Sequence, residues 1–251
     1  MLKYILIFYS SETSMGKILA ITSGKGGSGK TTFAVNLGYT LAVQGKKVLL
    51  LDFNIGLRNI DIYLGVQDRV LFDFGDYLSG TCRLRKAIIK DENLPGLSLL
   101  SCPQIRDIKG LSQKHVSTLL GQLRDMYDVI IIDTPTGIGE TFRNVVSCCD
   151  MALLVVTPNY SSIRNSDTVS KRIEALGIER FHVINRVSVQ PAGSPLPGVE
   201  EIEKVLSLPL AGIISEDPNI DLGNNAGRPV VSARGSYIAR NFEGIASRLS
   251  L

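Results

Sequence analysis

Apolar residues in this chain gather into short continuous blocks instead of alternating with polar ones. Ile18–Ser23, Lys47–Asp52, Leu97–Ser101, Val129–Asp133, Met151–Thr157, Phe181–Asn185 and Leu210–Ile214 each have the length of a strand. A block that is apolar at nearly every position is buried on both faces, the mark of a parallel sheet covered by helices. Between the blocks the spacing changes to the three-and-four pattern of a helix. Lys30–Gln44, Gln113–Met126, Ser161–Leu176 and Val199–Leu206 are predicted helices, and in the second of these Val116, Leu119, Leu120 and Leu123 share one face. The alternation predicts a doubly wound α/β fold, a mostly parallel sheet with helices on both faces. No internal repeat, low-complexity tract or linker interrupts the pattern. Residues 15–251 therefore read as one domain, with Pro191–Gly198 as a surface loop.

The first residues need separate treatment. Leu2–Tyr9 is apolar, but it is short, no small-residue cleavage site follows, and a glycine-rich loop comes almost at once. A signal peptide is not expected. Met15-Gly16-Lys17 offers a second start just before the first strand, so residues 1–14 read as a dispensable extension or a misassigned start; an added edge strand is the alternative. No run of 18 apolar residues occurs, and no transmembrane helix is expected. The chain is expected to be cytoplasmic.

Composition narrows the function classes. A formal charge of +3 over 251 residues is too small to predict a nucleic-acid surface. Cys82, Cys102, Cys148 and Cys149 make no CxxC pair and read as reduced, small apolar residues, with a cluster or zinc role as the weaker alternative. His115 and His182 lack ligand spacing.

The chemistry lies in Gly24-Lys25-Gly26-Gly27-Ser28-Gly29-Lys30-Thr31, which fits G-x-x-x-x-G-K-[ST] between a predicted strand and a predicted helix. The glycines let backbone N–H groups turn toward phosphate oxygens, and the helix start adds partial positive charge. Lys30 is expected to reach the β- and γ-phosphates and the Thr31 hydroxyl to bind Mg²⁺, so ATP (or a close nucleoside triphosphate) and magnesium are the expected ligands. Val129–Asp133 ends in an acid suited to the magnesium water shell. The next residues, Thr134-Pro135-Thr136-Gly137, have the small, turn-forming character of a loop that senses the γ-phosphate. Lys25 is not needed to cradle phosphates in its own chain. It reads either as a lysine that crosses to a partner's nucleotide or as a solvent-facing one.

Lys25-Gly26-Gly27-x-Gly29-Lys30-Thr31-Thr32 resembles the deviant phosphate loop of the MinD/ParA/nitrogenase-iron-protein class. Leu51–Asp61 is similar to the MinD stretch D-x-D-I-G-L-R-N-L-D. Ala87–Asp91, Arg106-Asp107, Asp133-x-Pro135-x-Gly137-Ile138, Arg164-x-Ser166-Asp167, Asn185-Arg186 and Gly227-Arg228-Pro229-Val230 also fall where that family has similar motifs. The likeness runs from about Gly16 to Arg248. It implies a P-loop NTPase of the SIMIBI/MinD type, an ATPase of septum placement that dimerises around two ATP molecules and recruits a MinC-like division inhibitor at the membrane. Carried over, Gly24, Gly26, Gly27, Ser28, Gly29, Lys30, Thr31 and Thr32 hold the nucleotide. Lys25 is the intersubunit lysine, Asp52 and Asp133 serve metal and water, and Asn185 and Arg186 lie near the adenine.

Three departures qualify that picture. Asn54 stands where the family has an Asp that helps place the attacking water, which implies slowed hydrolysis. Gly139 and Asn165 replace a Glu and an Asp, which puts partner recognition in doubt. Ser236–Leu251 reads as the last helix, with Ile238, Phe242, Ile245 and Leu249 at helical spacing, and no basic amphipathic tail follows it. Membrane binding is therefore expected to be weak or through a partner at the inner face. The last helix either packs on the sheet or lies on membrane. Rival functions are a nucleotide-gated scaffold with little turnover and a ParA-like or flagellar-number positioning ATPase. An iron–sulfur carrier lacks the cysteine spacing.

Overall fold

The computed structural model describes residues 15–104, 111–135, 137–189, 191, 194–233 and 235–251. Its strands are β1 (Lys17–Thr22), β2 (Val48–Asp52), β3 (Ile88–Lys90), β4 (Leu97–Leu100), β5 (Val129–Asp133), β6 (Met151–Val156), β7 (Glu179–Val187) and β8 (Leu210–Ser215). They form one sheet in the order β3-β4-β2-β5-β1-β6-β7-β8. Every described pairing is parallel except that of β3 with β4. The doubly wound reading is thus the observed one. The antiparallel edge strand β3 is an addition that the apolar blocks did not announce. It is only three residues long, and only Ile89 within it is buried, so it carries no recognisable block.

Alternation along each strand sends successive side chains to opposite faces. Ile18 and Ala20 of β1, Leu49 and Leu51 of β2, and Ile130 and Ile132 of β5 enter one core; Leu19 and Ile21, Val48 and Leu50, and Val129 and Ile131 enter the other. This two-sided burial is why the strands read as unbroken apolar runs. The helices are α1 (Lys30–Val43), α2 (Ile60–Tyr63), α3 (Phe74–Leu78), α4 (Leu84–Ala87), α5 (Gln113–Arg124), α6 (Glu140–Val146), α7 (Tyr160–Glu174), α8 (Val199–Leu206), α9 (Pro218–Asn225) and α10 (Tyr237–Arg248).

Caps fix several of these ends. The Ser112 hydroxyl and His115 form a reciprocal capping box on α5, and Asn159 Oδ1 accepts from the Ser161 and Ser162 N–H groups at the start of α7. The last helix settles an open alternative. Ile238, Phe242, Ile245 and Leu249 are all buried against α1 and β8, so that apolar stripe is used inside the protein rather than offered to a membrane. Residues 1–14, the Arg106-Asp107 motif and Thr136 lie outside the described residues.

His182 on β7 is fully buried, and neither ring nitrogen has a hydrogen-bond partner of good geometry. Burial holds its pKa below the usual value, with Glu203 and the nearby Pro209 and Leu208 backbone pulling the other way. A folded-state pKa below the unfolded one means the unfolded chain takes up the proton first. The stability contributed by the neutral ring is complete above about pH 6.5 and is lost as pH falls below it, at up to about 1.4 kcal/mol per pH unit. Melting at pH 7.5 and pH 5.5 is expected to show a fall in wild type that shrinks in His182→Leu; an equal fall in both would assign the acid sensitivity elsewhere.

Candidate nucleotide and magnesium site

The glycine-rich loop joins the end of β1 to the start of α1, and its shape follows from two close approaches. Gly24 lies on α7: its N–H donates to Ser166 Oγ at 3.3 Å, and a Cβ there would meet the Ser166 nitrogen at 2.2 Å. Gly29, at φ 96°, caps α1 in the left-handed region, and a Cβ there would meet Asn185 Nδ2 at 2.4 Å. Only glycine fits either place. Asn185 in turn donates to the Ser28 carbonyl at 2.8 Å, tying the loop to β7. The first bond of α1 runs from Phe33 N–H to the Gly29 carbonyl at 2.8 Å, which leaves the N–H groups of Lys30, Thr31 and Thr32 without helix partners. Such a helix start favours an anion.

The two lysines of the loop have opposite surroundings. Lys30 is 6% exposed, and its ammonium donates to Ser23 Oγ at 3.2 Å. Burial lowers its pKa while the Asp133 carboxylate pulls it up, so this charge is held in a dry site in need of an anion. Lys25 is exposed at the lip of the loop, with Gly26 and Gly27 beside it.

Asp133 and Asp52 are register partners on β5 and β2, and both are fully buried. Burial pushes both carboxyls upward; the Asp52 charge adds to the rise at Asp133, while at Asp52 the backbone N–H donors pull down and Asp61 pushes up. Asp133 Oδ2 accepts from the Thr31 hydroxyl and from the Asn54 amide, each at 2.6 Å. Its Oδ1 is buried with no partner. An unpartnered carboxylate oxygen beside a threonine hydroxyl, in a cluster of hard oxygen donors, fits a magnesium ion or its water shell. Asp52 is arranged differently from Asp133. Its Oδ1 accepts from Asn54 N–H at 2.8 Å, and its Oδ2 from Asn59 N–H at 3.1 Å and Ile60 N–H at 3.4 Å. Asp52 therefore shapes the loop between β2 and α2.

A pocket opens behind the loop between α1, the ends of β7 and β8, and α9. Asn185 and Arg186 line it, as does Thr32, whose hydroxyl accepts from Asn224 Nδ2 at 3.0 Å. The phosphate-loop residues, Asn54, Asp52, Asp133 and the Asn185-Arg186 pair thus come together at one end of the sheet. Sequence reasoning missed much of the remaining wall: Phe33, Ile214, Asp217, Ile220 and Phe242. One signal was there to read. Asp217 followed by Pro218 is an N-cap with proline at the first helical position, and Asp217 Oδ1 does accept the Asn219 N–H at 2.7 Å. Phe242 meets Phe33 with ring centroids 5.1 Å apart, so the last helix forms the back of the pocket.

Residues 16–181 match the family described as "AAA domain". The chain is 40% identical to the septum site-determining protein MinD of Synechocystis over 238 residues, 94% of this chain and 90% of that protein. Among solved structures, that of the MinC:MinD cell division protein complex of Aquifex aeolicus superposes with a TM-score of 0.84 at 36% identity, over 94% of this chain and 96% of that one. The MinD of Pyrococcus horikoshii, solved with Mg-ADP, superposes with a TM-score of 0.82 at 29% identity, over 94% of this chain and 96% of that one.

Proposed function

Because the chain belongs to the MinD family of septum site-determining ATPases, we propose that it binds ATP and magnesium, dimerises around them, and recruits a MinC-like partner for division-site selection. The observation that carries the reading is the split between its two loop lysines. Lys30 is buried toward its own Asp133, whereas Lys25 stands free at the lip, where a second subunit's nucleotide can be reached. Gly26, Gly27, Ser28, Gly29 and Thr32 cradle the phosphates, with Lys30 on the β- and γ-oxygens, and Gly24 seats the loop against α7. Asn185 and Arg186 lie against the base. Thr31 and Asp133 hold the magnesium, supported by Asp52. Magnesium supplies charge neutralisation on the transferring phosphoryl group. The chain's own part is positioning, because this reaction has a loose transition state.

Attachment to membrane is peripheral in this reading: no described helix is long and apolar enough to cross one. The buried stripe of α10 supports contact made weakly or through the partner.

Turnover is slow in this account, because the Asn54 amide donates to Asp133 and carries no charge with which to orient the attacking water. The same bond favours the second reading, a nucleotide-gated scaffold. Asn54→Asp is expected to raise ATP turnover by roughly tenfold or more, measured as phosphate release with and without anionic vesicles. If neither protein releases phosphate while both bind ATP, the scaffold reading replaces the enzymatic one.

A further inference from the structure

The loop of residues 53–59, between β2 and α2, converges on one side chain. Asn54 N–H donates to Asp52 Oδ1 at 2.8 Å, and the Asn54 carbonyl accepts from the N–H groups of Leu57 at 2.9 Å and Arg58 at 3.1 Å and from the Cys102 thiol at 3.2 Å. Its side-chain amide then spans to β5, where the nitrogen donates to Asp133 Oδ2 at 2.6 Å. An ionised carboxylate oxygen only accepts, so an ionised acid at position 54 cannot make this contact. Asp52 and Asp133 are already adjacent and fully buried. A third carboxylate in that cluster requires a cation or a proton to hold it there.

We infer that Asn54 is a positioning residue that fastens the loop to Asp133 by a neutral hydrogen bond, doing without magnesium what an aspartate at this place does only with it. The inference rests on the assignment of Thr31 and Asp133 to magnesium given above. Its consequence is that the order of the loop is uncoupled from the metal. Leu57, 71% exposed, and Arg58, at φ 35° and paired to Asp61 at 2.7 Å, sit at the tip of that loop. They are therefore presented in the same way before and after magnesium enters.

The test is thermal melting without nucleotide, in EDTA and in millimolar MgCl₂, for the full chain and for Asn54→Asp and Asn54→Ala. Wild type is expected to gain less from magnesium than Asn54→Asp does, because its loop is already fastened in EDTA. Asn54→Asp is expected to melt roughly 5 °C lower in EDTA and to recover with magnesium, since a ligand that binds only the folded state stabilises it. Asn54→Ala is expected to melt below wild type in both, since alanine can neither bond to Asp133 nor share a cation with it. The inference is overturned if Asn54→Asp equals wild type in EDTA, or if wild type gains as much from magnesium as Asn54→Asp does. Should Asn54→Asp not fold, hydrogen exchange of residues 55–60 in wild type decides the matter. Equal protection with and without magnesium supports the neutral fastening, and protection that appears only with magnesium overturns it. No nucleotide is present in either experiment, so a failure here is distinct from a failure to bind or hydrolyse ATP.

Discussion

Gly24→Ala is expected to lower the melting temperature by roughly 6–12 °C and to weaken ATP binding with it. The added Cβ would lie 2.2 Å from the Ser166 nitrogen and 2.4 Å from the Asn165 carbonyl carbon. Both are backbone atoms of α7, so no side-chain rotation relieves the clash. Either the helix or the phosphate loop must move, at a cost of about 3 kcal/mol, which for a chain of this length corresponds to that range of temperature. Gly26→Ala is the matched control, because nothing lies within 4 Å of a Cβ at that position. Its melting temperature is expected to stay that of wild type. Calorimetry and a fluorescent-nucleotide titration on the two variants separate the cases. Equal melting of both would mean that α7 does not press on the loop.

Lys25→Ala is expected to retain ATP binding yet lose turnover by about a thousandfold. Lys25 is exposed, and its ammonium has no hydrogen bond or ion pair among the described residues, so its removal is expected to leave the single-chain site intact. A cation supplied across an interface to the transferring phosphoryl group is worth about 10³ or more in rate. Lys30 is the contrast. It is the buried cation of the chain's own site, with Ser23 and Asp133 as its surroundings, and Lys30→Ala is expected to lose binding itself. A loss of rate without loss of affinity is the result expected if Lys25 acts only on the transferring phosphoryl group, and the concentration dependence of turnover tells whether that group is another subunit's.

Much of this was legible in the sequence because the information is local. The strands of the parallel sheet are buried on both faces and so read as blocks, and the phosphate loop is one continuous segment whose glycines answer to contacts at fixed offsets. The pocket behind the phosphate loop was less legible because its walls come from distant places: Asn185 on β7, Asp217 and Ile220 at α9, and Phe242 on α10. The short elements between β2 and β4 were missed for a different reason. Helices α2, α3 and α4 have four or five residues each, too few for a period to show. The amphipathic stripe of α10 was correctly placed, but a stripe does not say what covers it; only its packing against α1 and β8 does. At position 54 the residue type alone implied a slower enzyme. That the amide reaches Asp133, 79 residues away, is a fact of the fold.

The claim that the active unit is a dimer built around ATP is tested most directly by measuring ATP turnover per chain against protein concentration, for wild type and Lys25→Ala side by side at saturating ATP and magnesium. The account predicts that wild-type turnover per chain rises with concentration and then saturates, while Lys25→Ala stays near zero throughout although it binds ATP. Turnover per chain that is independent of concentration, and unchanged by the loss of Lys25, would contradict it.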